Sequence, residues 1–180
     1  SVGVPLPGVE IKIFDENDQE LPVGAIGEIV VRGRNVMLGY YNNPEATAEA
    51  MRNGWFHTGD MGKFDEDGYL YIVDRKKDMI IVGGINVHPS EVERVLMEHP
   101  AVAMCAVIGK PDPERGEVPI AVIVPKPDAQ PDPREIIRFA RERLANFKVP
   151  REVIFRAELP MSNTGKVLKR LLKKELELES

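Results

Sequence analysis

Asp74-Arg75-Lys76-Lys77-Asp78-Met79-Ile80-Ile81-Val82-Gly83-Gly84 is the seam at which the pattern of this 180-residue chain changes. Upstream of it, short β patterns alternate with Gly, Pro, Asn and Asp. Val9–Phe14 alternates apolar and polar residues at period two, Gly27–Gly33 is a strand closed by glycine, and Tyr69–Val73 follows the turn Asp65–Gly68. Downstream, Met79–Val82 predicts a strand broken by Gly83-Gly84. Pro89–His99 then predicts a helix with Val92, Val95, Leu96 and His99 on one side. Val102–Ile108 and Pro119–Val124 are β-branched runs of the kind found in buried strands. Asp132-Pro133-Arg134-Glu135 opens a helix, with Asp132 as its cap and Glu135 closing a capping box. Ile136, Ile137, Ala140 and Leu144 give that helix its apolar face. Val153–Phe155 predicts one more strand, and Val167–Leu176 a last helix that Lys166 begins.

The expected fold class is therefore α+β. A β-rich subdomain covers 1–73 and a small mixed α/β domain of order β-α-β-β-α-β-α covers 74–180, with Asp74 as the hinge. Pro125–Pro133 is proline-rich and reads as a stiff internal loop.

Bulk properties narrow the function. A hydrophobic share of 43% with 29% charged residues is ordinary for a globular protein, and a net charge of −5 argues against a general nucleic-acid binder. The longest apolar run, Ala101–Ile108, is too short for an integral membrane segment. Cys105, the single cysteine, lies inside that run, so a buried, inert thiol is expected, weakly favouring a reducing compartment. His57, His88, His99 and Cys105 lack ligand spacing, so no metal site is expected. The chain opens on Ser1 rather than Met, which fits a processed or truncated chain.

Three strings bear on chemistry. Lys166 follows Ser162-Asn163-Thr164-Gly165, where a lysine on a mobile loop would set a compact positive charge against phosphate or carboxylate. Its bland alternative is the solvated face of an amphipathic helix, shared with Lys169, Arg170, Lys173 and Lys174. In His57-Thr58-Gly59-Asp60, Asp60 on a glycine turn would accept hydrogen bonds from sugar hydroxyls; the alternative is an ordinary Asx turn. His57 reads as a hydrogen-bonded structural residue. Asp74–Asp78 is by default a surface charge cluster, and Gly83-Gly84 a tight bend that lets a ligand approach closely.

Together and in order, these strings resemble the C-terminal part of adenylate-forming acid–CoA ligases. Gly27–Gly33 with Gly39-Tyr40 and Asn43-Pro44-Glu45-Ala46-Thr47, Trp55–Asp60, Asp74–Glu93 and Pro160–Arg170 match four ordered family motifs across essentially the whole chain. Val73–Ile80 and Phe147–Pro150 look closest to bacterial or archaeal long-chain fatty acid–CoA ligases. The resemblance implies ATP, CoA and a carboxylic acid as substrates, with Mg2+ entering on ATP and its protein ligand outside this chain. It implies Lys166 as the catalytic residue of adenylation, Asp60 and Arg75 as nucleotide-binding residues at the ribose, and Asp74 as the hinge. Gly83 and Gly84 would form the CoA-channel loop.

The family's phosphate loop and glutamate-bearing segment are expected upstream of Gly8. The resemblance therefore implies a missing N-terminal domain as partner, 1–73 as that domain's last subdomain, and a fragment that is inactive alone. His57 is given no chemistry, and His88 stands where the family often carries an aromatic. A cytoplasmic location is expected, with peripheral membrane association of the full-length enzyme as an alternative. Aryl- or short-chain acyl-CoA ligases, and a stand-alone nucleotide- or partner-binding module without catalysis, are the alternative functions.

Overall fold

The structure is a computed structural model that describes residues 1–178. The chain forms two compact units, Ser1–Lys77 and Asp78–Ser180.

The first unit is built on an antiparallel sheet of β1 (Val9–Phe14), β2 (Gly27–Gly33), β3 (Met51–Arg52), β4 (Trp55–Phe64) and β5 (Leu70–Arg75). The order is β1-β2-β4, and the far edge of β4 is shared by β3 at its start and β5 at its end. Period-two alternation in β2 sends Ile29 and Val30 to opposite faces. Ile29 packs with Ile13 and Leu70, whereas Val30 packs with Phe14 and Trp55. The Phe14 and Trp55 rings meet edge to face with centroids 5.6 Å apart, and the Arg32 guanidinium covers Trp55 at 4.4 Å.

Three elements here depart from the sequence reading. Trp55–Phe64 is a ten-residue strand, where an isolated glycine turn was expected at His57–Asp60. Pro44–Ala50 is a short helix, α1, whose Asn43 side chain accepts from the Ala46 N–H. Met51–Arg52 adds a small third strand.

The second unit carries β6 (Ile80–Val82), β7 (Ile85–Val87), α2 (Pro89–Met97), β8 (Val102–Asp112), β9 (Gly116–Pro125), α3 (Pro133–Arg141), β10 (Glu152–Phe155) and α4 (Lys169–Glu175). The central strand β9 pairs antiparallel with β8 and β6 and parallel with β10, and α3 makes the crossover that parallel pairing requires. Continuous apolar runs arise because both sheet faces are covered. Val107, Ala121 and Ile123 pack in one cluster with Val92 and Leu96 of α2 and Ile136 and Ala140 of α3. Ala106, Ile108, Ile120 and Val122 pack in another with Leu172 of α4 and with Leu159, which precedes that helix.

Asp132 caps α3 as expected, its carboxylate accepting from the Arg134 N–H at 2.7 Å. Glu135 sits 3.7 Å from His99 Nε2, so its carboxylate is turned toward the segment that follows α2. Gly83-Gly84 breaks the strand as expected, but the chain continues as β7, a hairpin partner of β6. Both glycines have positive φ (57° and 81°), the requirement of a two-residue turn whose twist suits a hairpin. The last helix begins at Lys169, so Lys166 lies in the loop before it and does not open it.

Candidate functional site

In the first unit a break in the β2–β4 ladder builds the site. Val30 pairs with His57 and Glu28 with Met61, so three residues of β4 (Thr58, Gly59 and Asp60) lie opposite the single residue Ile29. The surplus of two residues is extruded as an enlarged bulge. Gly59 at φ 73° makes the bend, a conformation that L side chains rarely adopt. Thr58 Oγ1 donates to the Ile29 carbonyl at 2.7 Å and accepts from the Asp60 N–H at 3.1 Å. The threonine thus replaces the ladder bonds that the bulge removes.

On the other side of β4, Asp60 is the Cα partner of Arg75 and Met61 that of Asp74. Arg75 Nε stands 3.7 Å from Asp60 Oδ1, close enough for charge attraction and too long for a direct hydrogen bond. The Asp60 carboxylate thereby keeps acceptor capacity toward a ligand. Thr58, Gly59, Asp60, Arg75, Lys76 and Lys77 line a cleft of about 460 Å³. One acceptor carboxylate ringed by cationic side chains suits a ligand carrying both hydroxyls and phosphate.

Beneath this cleft lies Glu28, which the sequence reading assigned only to a motif. It is 5% exposed. Its Oε1 accepts from the Gly59 N–H at 3.3 Å, and its Oε2 lies 2.8 Å from Lys76 Nζ and 3.0 Å from His57 Nδ1. Burial alone would push the Glu28 carboxyl up, but the hydrogen bonds from Lys76 and His57 bring it below its ordinary value. His57 is accordingly a buried partner of a carboxylate, as its structural reading expected. Lys76 is exposed, in keeping with the surface-cluster reading of Asp74–Asp78, and its ammonium also reaches in to this carboxylate. The available signal was parity: Glu28 shares its strand face with Val30, so a lone acid stood at an inward position.

The second unit presents Lys166 on a closed loop. The Ser162 N–H donates to the Lys166 carbonyl at 2.7 Å, and the Lys166 N–H donates back to Ser162 Oγ at 3.1 Å. Ser162 and Thr164 hydroxyls bond at 2.9 Å, and a bridge between Met161 and Val167 closes the base. Lys166 itself is exposed, and among the described residues its ammonium has no ion-pair partner. Its helical neighbours differ. Lys169 Nζ is held by Glu93 Oε1 at 2.6 Å, and Lys173 lies 4.0 Å from Glu117.

Asp60, Asp74 and Arg75 thus come together in the first unit, while Gly83, Gly84 and Lys166 belong to the second. Among the described residues no group of three His, Cys, Asp or Glu side chains is placed to hold a metal ion. No described helix is long and apolar enough to cross a membrane.

Residues 91–166 match the AMP-binding enzyme C-terminal domain, and residues 1–41 match the AMP-binding enzyme domain. A long-chain-fatty-acid–CoA ligase of Escherichia coli is 48% identical over 175 residues, which is 97% of this chain and 31% of that protein. The chain belongs to the AMP-binding enzyme family. Within it, a feruloyl-CoA synthase of Amycolatopsis is 50% identical over 94% of this chain and 34% of its own length. The solved structure of ATP-bound MatB from Rhodopseudomonas palustris, 42% identical, superposes with a TM-score of 0.93 over 98% of this chain and 36% of that one. The chain spans about a third of the length of these AMP-binding relatives.

Proposed function

We propose that this chain is the C-terminal portion of an ATP-dependent acid–CoA ligase. Such an enzyme joins a carboxylate to AMP with release of pyrophosphate, then transfers the acyl group to the CoA thiol with release of AMP. The observation that carries the reading is the Asp60–Arg75 pair on the rim of the β4 bulge, in a chain that also presents an exposed lysine on the Ser162–Val167 loop. Asp60 accepts hydrogen bonds from the ribose hydroxyls, and Arg75 assists beside it. Lys166 bridges carboxylate and α-phosphate and stabilises the charge that builds there in the adenylation transition state. Asp74 is the hinge between 1–73 and 74–180, and the Gly83-Gly84 turn serves the CoA channel. Mg2+ enters with ATP as part of the substrate, and no residue of this chain is assigned to it.

The acid is a long-chain fatty acid, a reading supported by the matches to ligases of that name in Escherichia coli and Bacillus subtilis. The feruloyl-CoA synthase match favours an aryl acid as the second reading. The fragment alone is inactive, because positioning of both reactants supplies much of the rate.

The test uses the full reading frame, with and without Lys166→Ala, and follows the half-reactions separately. Pyrophosphate release is measured with ATP and a panel of fatty and aryl acids; thioester formation is measured from supplied acyl-adenylate and CoA. Loss of the first with retention of the second supports the assignment, and the panel ranks the two acid classes. Retention of both sinks the role of Lys166, and a wild type that does neither sinks the ligase reading.

A further inference from the structure

We propose that Glu28 is the positioning residue of the nucleotide cleft, holding its floor and its wall in register through one buried carboxylate. The inference rests on the nucleotide reading of the Asp60–Arg75 cleft.

The bulge in β4 creates the need. Extruding Thr58, Gly59 and Asp60 removes those residues from the β2 ladder and leaves their backbone donors to be met in another way. Thr58 Oγ1 takes the Asp60 N–H, and Glu28 Oε1 takes the Gly59 N–H. Glu28 is therefore bonded to the residue immediately before Asp60, in the bend where φ is positive. Its second oxygen is committed elsewhere. Oε2 receives the Lys76 ammonium at 2.8 Å, and Lys76 directly follows Arg75 and opens the short turn Lys76–Asp78. One side chain thus bonds the segment that carries Asp60 and the segment that carries Arg75.

His57 completes the hold. Its Nδ1 lies 3.0 Å from Glu28 Oε2 and 3.0 Å from Arg52 Nη2, between the carboxylate and the guanidinium. His57 is itself fixed against the edge of Phe14, with ring centroids 6.4 Å apart. Arg52 Nη2 stands 3.9 Å from the same carboxylate oxygen and 3.4 Å from Asp18 Oδ1, so a second cation besides Lys76 lies close to Glu28. A buried carboxylate bonded by a lysine, a histidine and a backbone N–H has little freedom to rotate. That immobility is what a support for a ligand-binding carboxylate requires, because small misplacements of positioning groups cost large factors in rate.

The experiment is made in the full reading frame and measures kcat/KM of adenylation with ATP and with 2′,3′-dideoxy-ATP. The readout is the ratio of the two, which reports how well the ribose hydroxyls are bound and is insensitive to the fraction of folded enzyme. Wild type, Asp60→Ala, Glu28→Ala and Glu28→Gln are compared. Wild type favours ATP, and Asp60→Ala loses that preference. Glu28→Ala lowers the ratio by about tenfold, the scale of one lost charge-assisted hydrogen bond. Glu28→Gln falls between, because its amide oxygen still accepts from Gly59 while its nitrogen repels Lys76.

A purely structural Glu28 would depress both nucleotides equally and leave the ratio at the wild-type value in both variants, which overturns the proposal. If Glu28→Ala does not fold, Glu28→Gln decides by the same ratio. A wild type without preference, or an Asp60→Ala that keeps it, removes the nucleotide reading itself and the proposal with it.

Discussion

Lys169 of α4 and Glu93 of α2 form a cation–carboxylate contact, with Nζ 2.6 Å from Oε1 and both side chains largely covered. Glu93 Oε1 also accepts from the Val107 N–H at 2.8 Å, so the pair ties both helices to β8. Lys166, three residues earlier, is exposed and unpaired among the described residues. The two lysines should therefore separate stability from function. Lys169→Ala is expected to destabilise the chain by about 1–2 kcal/mol, between the cost of an exposed and a buried pair. Lys166→Ala should stay within about 0.5 kcal/mol of wild type. Urea unfolding of the two variants measures this; equal losses would mean that Lys166 belongs to the same helix surface as Lys169.

Gly59 occupies left-handed backbone at φ 73° with no atom within 4 Å of where a Cβ would stand. Alanine there meets backbone strain without a clash, and the expected cost is about 1–2 kcal/mol. Because the same bend presents Asp60, nucleotide binding should weaken more than stability does. Thermal melting together with titration of AMP into the full-length protein checks both halves. A Gly59→Ala protein that binds AMP as wild type does would show that the bulge does not set the position of Asp60.

What was legible in the sequence follows from how local each signal is. Val9–Phe14, Gly27–Gly33 and the Asp132 cap depend on neighbouring residues, and the structure has them where the pattern put them. The sequence suggests a turn at His57–Asp60 because Gly59 and Asp60 interrupt the alternation, and only pairing with β2 on one side and β5 on the other makes them part of a strand. Short β7 was hidden behind Gly83-Gly84 for the same reason, since β6 alone supplies its partner. Among candidate site residues, Asp60 and Arg75 were singled out from their motifs. That they are cross-strand partners could not be read, because the intervening hairpin contains a register shift between Met61 and Gly62. Glu28 escaped because its partners His57 and Lys76 lie 29 and 48 residues away.

Cys105 offers a chemical check on the second unit. Burial, reinforced by the nearby Glu93 carboxylate and only partly offset by Lys169, pushes its thiol up to about 12. Its Sγ is 3.5 Å from the Glu93 carbonyl. Since the thiolate is the reactive form, a thiol-specific reagent at pH 8 should label the native chain at least about a hundredfold more slowly than the urea-unfolded chain. Mass spectrometry over a time course gives both rates. Comparable rates would mean that the α2–β8 packing opens readily.

Glu28 also predicts a particular pH dependence. Its folded carboxyl lies below the ordinary value of 4.5, held there by Lys76 and His57 against the opposing effect of burial. A carboxyl depressed on folding binds fewer protons in the native state than in the unfolded one, so its contribution to stability is present above 4.5 and is lost as the pH falls through the lower, folded value. Glu10 and Asp18 are depressed as well, by Arg32 and by Arg52, so the acid limb of wild type alone does not isolate Glu28. Comparison with Glu28→Gln does, because that variant keeps the other two. The gap in Tm between wild type and Glu28→Gln should be largest from pH 5 to 7 and narrow steadily below pH 4.5. A gap that is constant or widens toward acid would mean that the buried carboxylate is not stabilised in its charged form, and that the hydrogen bonds from Lys76 and His57 do not outweigh its burial.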